Sequence, residues 1–222
     1  VGYAREGLLS IHSRSPEFRG KYDVLRNEFK KTGAVEEMAE SDYSITSTLG
    51  WNGGFEWKGK RKELDDPTFN INRVTYEYGK TIGWNFVEGR DFAREFASDS
   101  SGVIMNETAL KLMGLESPVG ETLTLNRGYA HGEFTILGVI SDMLKGSPFI
   151  PTDPCLYFLT KRDQEWIYIR LNPNMSSRET LPKLEATFNQ LITSAPFDYK
   201  FADEEYDAKF RAEERILSLI HI

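Results

Sequence analysis

Apolar residues recur at helical spacing near both ends of the chain. The first stripe predicts a helix from Glu17 to Thr32, because apolar side chains return every three or four residues and Gly33 then stops the pattern. A second helix is predicted where Ser176 and Glu179 have the spacing of a capping box. A third helix opens at Asp203-Glu204-Glu205. The apolar positions of the three helices are Phe18, Tyr22, Leu25 and Phe29; Leu181, Leu184, Phe188, Leu191 and Ile192; and Tyr206, Phe210, Ile216, Leu217 and Ile220.

Between these helices, apolar and polar residues alternate over short runs that Gly, Asp and Asn separate. A period of two is typical of β-strands. Val35 to Leu49 is rich in Ser, Thr and β-branched residues and is predicted to be extended. The segment from Asn126 to Gly132 is interpreted as a hairpin connection. The other predicted strands are Phe55 with Trp57; Phe69 with Ile71; Val74, Tyr76 and Tyr78; Thr122 to Leu125; Phe134 to Ile140; Cys155 to Leu159; Trp166 to Leu171; and Phe197 to Phe201.

A compact strand-helix unit is predicted inside the stretch from Trp84 to Gly120. Val103 to Met105 is a short β-prone run, and Asn106 follows at the position of a helix N-cap. Glu107 suits the first turn of that helix, because the helix dipole favours negative charge there. Gly114 supplies the left-handed residue that ends the helix.

This order of elements predicts an α+β fold. Helices and strands occupy both ends of the chain, and a strand-rich block lies between them. We therefore expect an α/β subdomain formed by residues 1–49 and 148–222, into which a β-rich subdomain of residues 50–147 is inserted.

Charge, cysteine content and the length of apolar runs exclude several classes of protein. The chain has 222 residues, a formal net charge of -7 and a pI near 5.2, which argues against nucleic acid as a partner. A single cysteine, Cys155, excludes an intramolecular disulfide. No run is long and apolar enough for a membrane span, and the first residues do not have the pattern of a signal peptide. The run from Ile216 to Ile222 is either the end of a core helix or the start of a membrane segment.

The sequence contains no recognisable catalytic signature. The three histidines, His12, His131 and His221, are scattered without a metal-binding spacing. No phosphate-binding glycine loop and no Gly-x-Ser-x-Gly elbow occur. Cys155 lies in an apolar run and is interpreted as a buried small residue. We assign no catalytic, cofactor-binding or metal-binding residue, and we expect no cofactor.

Two groups of residues leave alternatives open. Adjacent acids at Asp65-Asp66, Glu36-Glu37 and Asp203-Glu204-Glu205 are interpreted as solvated or helix-start charges, with a carboxylate-based hydrolase as the alternative. Glu88, Arg90 and Asp91 are interpreted as a local salt-bridged loop. The aromatic side chains of the central block are interpreted as core, and the alternative is a ligand-stacking platform. They are Trp51, Phe55, Trp57 and Trp84.

An ordered set of short motifs resembles the extracytoplasmic domain of MacB/FtsX-type ABC transporter permeases. The set covers nearly the whole chain from about Tyr22 onward, and the order of the motifs is more specific than any one of them. The motifs are Glu88-Gly89-Arg90-Asp91-Phe92; Gly102-Val103-Ile104-Met105-Asn106-Glu107-Thr108-Ala109; Pro118-Val119-Gly120; Phe134-Thr135-Ile136-Leu137-Gly138-Val139-Ile140-Ser141-Asp142; and Phe201-Ala202-Asp203-Glu204-Glu205-Tyr206-Asp207.

The resemblance implies a periplasmic core domain between the first two transmembrane helices of a permease, with a porter-like subdomain and an inserted sabre subdomain. It implies a non-enzymatic mechanotransmitter at the periplasmic face of a bacterial inner membrane, serving export, lipoprotein release or partner activation. Its implied partners are its own transmembrane helices, a cytoplasmic ATPase, a second permease protomer and a periplasmic protein. The composition also resembles that of Bacteroidetes permeases. A free periplasmic ligand- or carbohydrate-binding module is the alternative function, and a carboxylate-based hydrolase is the second alternative.

Overall fold

The computed structural model of the protein describes residues 2–47, 50–126, 131–143 and 151–208. Its strands are β1 Leu8–His12, β2 Val35–Ser41, β3 Trp51–Asn52, β4 Phe55–Trp57, β5 Phe69–Val74, β6 Phe86–Gly89, β7 Gly102–Asn106, β8 Thr122–Leu125, β9 Gly132–Ile140, β10 Cys155–Leu159, β11 Trp166–Leu171 and β12 Tyr199–Phe201. Its helices are α1 Tyr22–Lys31, α2 Tyr78–Ile82, α3 Glu107–Met113 and α4 Ser177–Leu191. Short 3-10 turns span Pro16–Phe18 and Ala97–Ser101, and residues 202–208 are helical.

All of these strands belong to one mixed sheet. Its order is β12-β1-β11-β2-β5-β10-β7-β9-β8-β4, with β3 paired to β5 and β6 paired to β9. The pairs β5–β10 and β7–β9 are parallel, and the other pairs are antiparallel. Helices packed on a mixed sheet confirm the α+β class.

Helices α1 and α4 cover the sheet on the side of β1, β2 and β11. Leu25 and Phe29 of α1 and Leu184 and Phe188 of α4 are buried in one apolar cluster with strand residues such as Ile169. Both helices are amphipathic because their apolar residues return every three or four positions. The predicted capping box between Ser176 and Glu179 is present at the start of α4. Pro182, which lies inside α4 close to that start, does not break the helix.

The strands at the centre of the sheet bury both of their faces. In β7, Val103 and Met105 pack into the cluster that α3 covers, whereas Ile104 points into the cluster that contains Tyr78 and Tyr157. This alternation follows from the two-residue period of a strand. It explains why the run from Val103 to Met105 is apolar at every position.

Several element boundaries agree with the sequence. The predicted strands Cys155–Leu159 and Trp166–Leu171 have the observed bounds. Asn106 caps α3, since its side chain accepts a hydrogen bond from the amide of Ala109, and Gly114 ends that helix with φ 69°. Leu125 and Gly132, on either side of the expected hairpin connection, are antiparallel partners. Residues 127–130 of that connection lie outside the described residues.

Four predicted elements were wrong in type or extent. The strand predicted from Phe197 to Phe201 begins only at Tyr199. Tyr78 lies in α2, because the chain leaves the strand conformation after Val74. The first helix begins at Tyr22, since the residues before it form a separate 3-10 turn and Gly20 adopts φ 70°. Within the described residues, the extended segment that starts at Val35 is a strand only as far as Ser41. Phe210 and the run from Ile216 to Ile222 lie outside the described residues.

The division into two subdomains stays a prediction. Strands β1, β2, β11 and β12 are neighbours at one side of the sheet, and β4, β8 and β9 lie at the other. Strand β10 was assigned to the terminal subdomain, and it pairs with β5 and β7 of the central block. Any two subdomains would therefore share one sheet.

Candidate functional site

The segments before β1 and after β12 emerge at the same end of the sheet. The two strands are antiparallel neighbours, with Leu9 opposite Phe201 and Ile11 opposite Tyr199. In an antiparallel pair the start of one strand lies beside the end of the other. Residues 2–7 and 202–208 are therefore side by side.

Side chains join these two segments, which we call the terminal clamp (residues 2–10 with 202–207). The guanidinium of Arg5 lies 4.1 Å from the ring centroid of Tyr206 and 3.8 Å from a carboxylate oxygen of Asp207. The hydroxyl of Ser10 donates a 3.0 Å hydrogen bond to Glu205. Ala202 is fully buried at the base of the second segment. Because these polar contacts are partly exposed, each contributes little stability, and together they fix the direction in which the segments leave the sheet.

Arg170 ties the first segment to the rest of the domain. It lies in β11 with 9% exposure, and its guanidinium donates hydrogen bonds to the backbone carbonyls of Ala4, Glu6 and Thr81 at 2.7, 2.6 and 2.9 Å. Burial lowers its pKa, since a charge is costly away from water. Sequence reasoning missed this residue, although a lone basic side chain in the apolar run from Trp166 to Leu171 was the available signal.

The Gly-Arg-Asp-Phe stretch after β6 is a turn that glycine makes possible. Gly89 has φ 78°, and a Cβ there would overlap the carbonyl oxygen of Leu137. Arg90 then reaches Asp99 with two hydrogen bonds of 2.6 and 2.7 Å. The amide of Ala93 also donates to Asp99, and these contacts lower the pKa of the Asp99 carboxyl. The pair closes the loop that leads from β6 to β7.

Asp91 points the other way, into the interior. Its carboxylate accepts hydrogen bonds from the indole nitrogen of Trp84 at 3.1 Å and from the amide of Phe92 at 2.7 Å. Burial raises its pKa to about 6. The expected salt-bridged loop is present, but the ion-pair partner of Arg90 is Asp99, and Glu88 is exposed.

Two of the resemblance motifs, residues 102–109 and 134–142, meet around the start of α3. Asn106 caps the helix and also accepts a 2.8 Å hydrogen bond from the amide of Cys155. The backbone and hydroxyl of Thr108 both donate to Asp142, at 3.0 and 2.7 Å, and the amide of Asp142 donates to Glu107 at 3.3 Å. Residues far apart in sequence thus fix the start of α3 against the ends of β7, β9 and β10.

The adjacent acids lie in different parts of the fold. Asp65 and Glu36 are exposed, and the carboxylate of Asp66 accepts a hydrogen bond from the amide of Gly54. Asp203 accepts from the amide of Glu204 at the start of the last helical segment. These are the solvated and local roles that the sequence predicts.

Glu37 departs from that prediction because it is buried. It is 3% exposed and accepts hydrogen bonds from Arg26 at 2.7 and 3.0 Å and from Lys30 at 2.9 Å. These contacts lower the pKa of its carboxyl despite the burial. The pairs join α1 to β2, and both oxygens of the Glu37 carboxylate are engaged by them.

The aromatic side chains that could have formed a ligand-stacking platform do not lie together. Phe55, Trp57 and Trp84 are buried in two separate apolar clusters, and Trp51 is 46% exposed by itself on β3. Cys155 is buried, as predicted. His12 stacks on Trp166, and His131 lies at the edge of the described hairpin. Across residues 2–47, 50–126, 131–143 and 151–208, no three His, Cys, Asp or Glu side chains form a group that could hold a metal ion.

Comparison with a family model identifies the family of the chain. The model of the MacB-like periplasmic core domain matches residues 8–187. The chain belongs to this family. The resemblance to MacB/FtsX-type ABC transporter permeases is thereby confirmed, and the chain is a periplasmic domain of a permease of this type. No curated protein sequence matches the domain.

Two solved structures share the fold of this MacB-like domain. The periplasmic region of MacB from Actinobacillus actinomycetemcomitans superposes with a TM-score of 0.63 and 16% identity, over 90% of this chain and 91% of that one. The extracellular domain of the noncanonic ABC-type transporter YknZ from Gram-positive bacteria gives a TM-score of 0.54 and 14% identity, over 87% and 97% of the two chains. In the part of the MacB-like domain that the structure describes, no helix has the length and apolar character of a membrane span.

Proposed function

We propose that this MacB-like domain is a non-enzymatic lever that transmits ATP-driven movement of membrane helices to the periplasm. Its proposed place is the periplasmic face of the inner membrane, as part of an integral membrane protein. Its proposed partners are its own transmembrane helices, a cytoplasmic ATPase, a second permease protomer and a periplasmic protein. The work done by the movement would be export, lipoprotein release or activation of the partner.

The terminal clamp is the observation that carries this proposal. A lever needs both of its membrane connections at one rigid place, and residues 2–7 and 202–208 run side by side at one end of the sheet. Arg170 and the buried Tyr3 anchor the first segment, while Ala202 anchors the second. Movement of either segment would therefore reach β1, β11 and β12 together.

The two-subdomain division is part of the same proposal. Residues 1–49 and 148–222 would form the porter-like base that carries the clamp, and residues 50–147 would form the inserted β-rich sabre subdomain. The shared sheet supports a stiff connection between them, because β10 pairs with both β5 and β7.

Double electron-electron resonance spectroscopy on the full-length permease with its ATPase tests whether the domain moves as a lever. Cys155 is buried, so a single exposed cysteine introduced as Glu116→Cys can carry the spin label. We expect the distance between the labels of two protomers to differ between the nucleotide-free and ATP-bound states. The same distance in both states would contradict the proposal.

The clamp itself is tested by combining Arg5→Ala with Ser10→Ala. We expect the nucleotide-dependent change in distance to shrink while ATP hydrolysis continues, because the two segments would no longer move together. Lys31→Ala is the matched control, since Lys31 is an exposed residue whose ion pair with Glu28 lies within α1. A full response in the double variant would show that the clamp is not the connection.

A further inference from the structure

Glu40 is a buried acid without a counter-ion. It lies in β2 and is 3% exposed, and no described Lys, Arg or His side chain lies within ion-pair distance of it. Its carboxyl accepts a hydrogen bond from the backbone amide of Gln164. Glu37, on the same strand, is just as buried and has Arg26 and Lys30 as partners. Buried acids are normally paired or neutral, so Glu40 would ionise only if a cation were brought to it.

Two clefts have Glu40 in their walls. The first has a volume of about 360 Å³ and lies between the start of α1, the segment after β5 and the connection from β10 to β11. The second has a volume of about 410 Å³ and lies beside residues 12–19. Glu40 and Asp163 line both clefts. Glu40 therefore lies in the wall of two spaces, each of the size of a small molecule.

The first cleft also has cations that are not engaged elsewhere. Lys161 and Arg162 line it, are exposed, and form no ion pair with any residue that the structure describes. Arg94 is already bonded to Glu77 at 2.6 Å. In the second cleft, Arg14 donates to His12 at 2.9 Å. The first cleft thus combines an unpaired acid inside with two unpaired cations on its exposed side.

We propose that the first cleft binds a small zwitterion, a free amino acid or short peptide, with its ammonium group on Glu40 and its carboxylate on Lys161 and Arg162. The ammonium would supply the counter-ion that the buried carboxyl lacks. Tyr22 and Tyr76 also line the cleft, and their aromatic rings suit an aliphatic portion of the ligand. This site is separate from the terminal clamp and goes beyond the lever function.

The protonation of Glu40 gives the site a measurable signature. Burial, and secondarily the nearby Asp163 and Asp23, raise the pKa of Glu40 to about 8. The free cleft therefore holds a neutral acid at pH 7, and an ammonium ion would favour the carboxylate, so binding releases a proton. The charged or titratable residues that line the two clefts with Glu40 are Tyr22, Asp23, Tyr76, Arg94, Lys161, Arg162 and Asp163 in the first, and His12, Arg14, Arg19, Asp163 and Glu165 in the second.

Titration calorimetry of the 222-residue chain with three probes tests the proposal. The probes are the dipeptide Ala-Ala, its N-acetylated form without the ammonium, and its C-terminal amide without the carboxylate. We expect Ala-Ala to bind, and each blocked form to bind about tenfold more weakly or worse. The heat at pH 7 should depend on the ionisation enthalpy of the buffer, because a proton is released. Absence of Ala-Ala binding at millimolar concentration, or equal binding of all three probes, would overturn the proposal.

Variants locate the site. Glu40→Gln should abolish binding and proton release, whereas Glu36→Gln, an exposed acid on the same strand, should change neither. Lys161→Ala with Arg162→Ala should weaken Ala-Ala about tenfold and leave the amide unchanged. This surface pair keeps the test valid if Glu40→Gln does not fold. Unchanged binding in these variants, or loss of binding in Arg19→Ala instead, would exclude the first cleft.

Discussion

The guanidinium of Arg90 forms two parallel hydrogen bonds with the carboxylate of Asp99, at 2.6 and 2.7 Å. Asp99 is fully buried, while the side chain of Arg90 is 42% exposed. The pair is therefore reached by solvent only from the arginine side. Removing the arginine would leave a buried carboxylate with one backbone partner, the amide of Ala93.

We expect Arg90→Ala to lower the free energy of unfolding by about 2 kcal/mol, the order of a lost hydrogen bond to a buried charged group. Urea unfolding followed by circular dichroism measures this change. Lys111→Ala, an exposed change on α3, is the control and should have almost no effect. Equal stability of the two variants would mean that Asp99 finds another partner.

Gly79 and Gly114 illustrate two different reasons why a position requires glycine. A Cβ on Gly79 would overlap the carboxylate of Asp91 and the indole nitrogen of Trp84, whereas a Cβ on Gly114 meets nothing within 4 Å. We expect Gly79→Ala to cost about 3 kcal/mol through overpacking of the core. Gly114→Ala should cost about 1 kcal/mol, because only the left-handed conformation is strained. Thermal unfolding of the two variants makes the comparison, and a smaller loss for Gly79→Ala would contradict it.

Two helix caps should also differ in their contribution. Asn106 is 2% exposed, accepts hydrogen bonds from Ala109 and Cys155, and donates to the carbonyl of Asp153. Ser176 caps α4 at the surface through Glu179. We expect Asn106→Ala to cost about 3 kcal/mol, because buried backbone groups lose their partners, and Ser176→Ala about 1 kcal/mol. Denaturant midpoints and slopes for both variants check the difference; similar losses would show that the Asn106 links to β10 are replaced by water.

The stability of the domain should decrease as the pH rises, because of Glu40. Its pKa in the folded domain is raised to about 8, so the folded state keeps a proton that the unfolded state loses near pH ~4.3. The free energy of unfolding should therefore decrease by at most about 1.4 kcal/mol per pH unit as pH rises toward 8. Asp91, with a pKa of about 6, adds to this decrease only up to about pH 6, so Glu40 dominates above it.

Glu40→Gln should remove this decrease above pH 6.5, because the amide does not titrate. Urea unfolding of both proteins at pH about 6.5 and about 8 measures the difference between their slopes. Glu36→Gln should retain the slope of the original domain, since Glu36 is exposed. Parallel slopes for the original protein and Glu40→Gln would show that Glu40 ionises normally.

Local patterns predicted the elements that carry strong local signals. Cys155–Leu159 and Trp166–Leu171 have apolar runs with polar or proline residues on both sides, and α3 has a cap at each end. Tyr78 was misassigned because α2 has only five residues, too few for a helical period to replace the alternation of Val74 and Tyr76.

Tertiary contacts were beyond the reach of those patterns. Asp99 pairs with Arg90 across nine positions of loop, and Glu37 is buried only because α1 brings Arg26 and Lys30 over β2. Glu40 was likewise not predicted, since the wall of its cleft comes from residues 160–163. The family resemblance nevertheless identified the domain, because its motifs are read from the order of residues along the chain and need no knowledge of these contacts.

The position of β1 has a consequence for how the domain folds. Both neighbours of this strand, β11 and β12, come from beyond residue 165, so β1 has no sheet partner until most of the chain is available. Such non-local pairing makes folding slow, since a long loop must close before any contact forms. We expect the central strands to assemble first and β1 to join last, which leaves the first ten residues accessible to chaperones during synthesis.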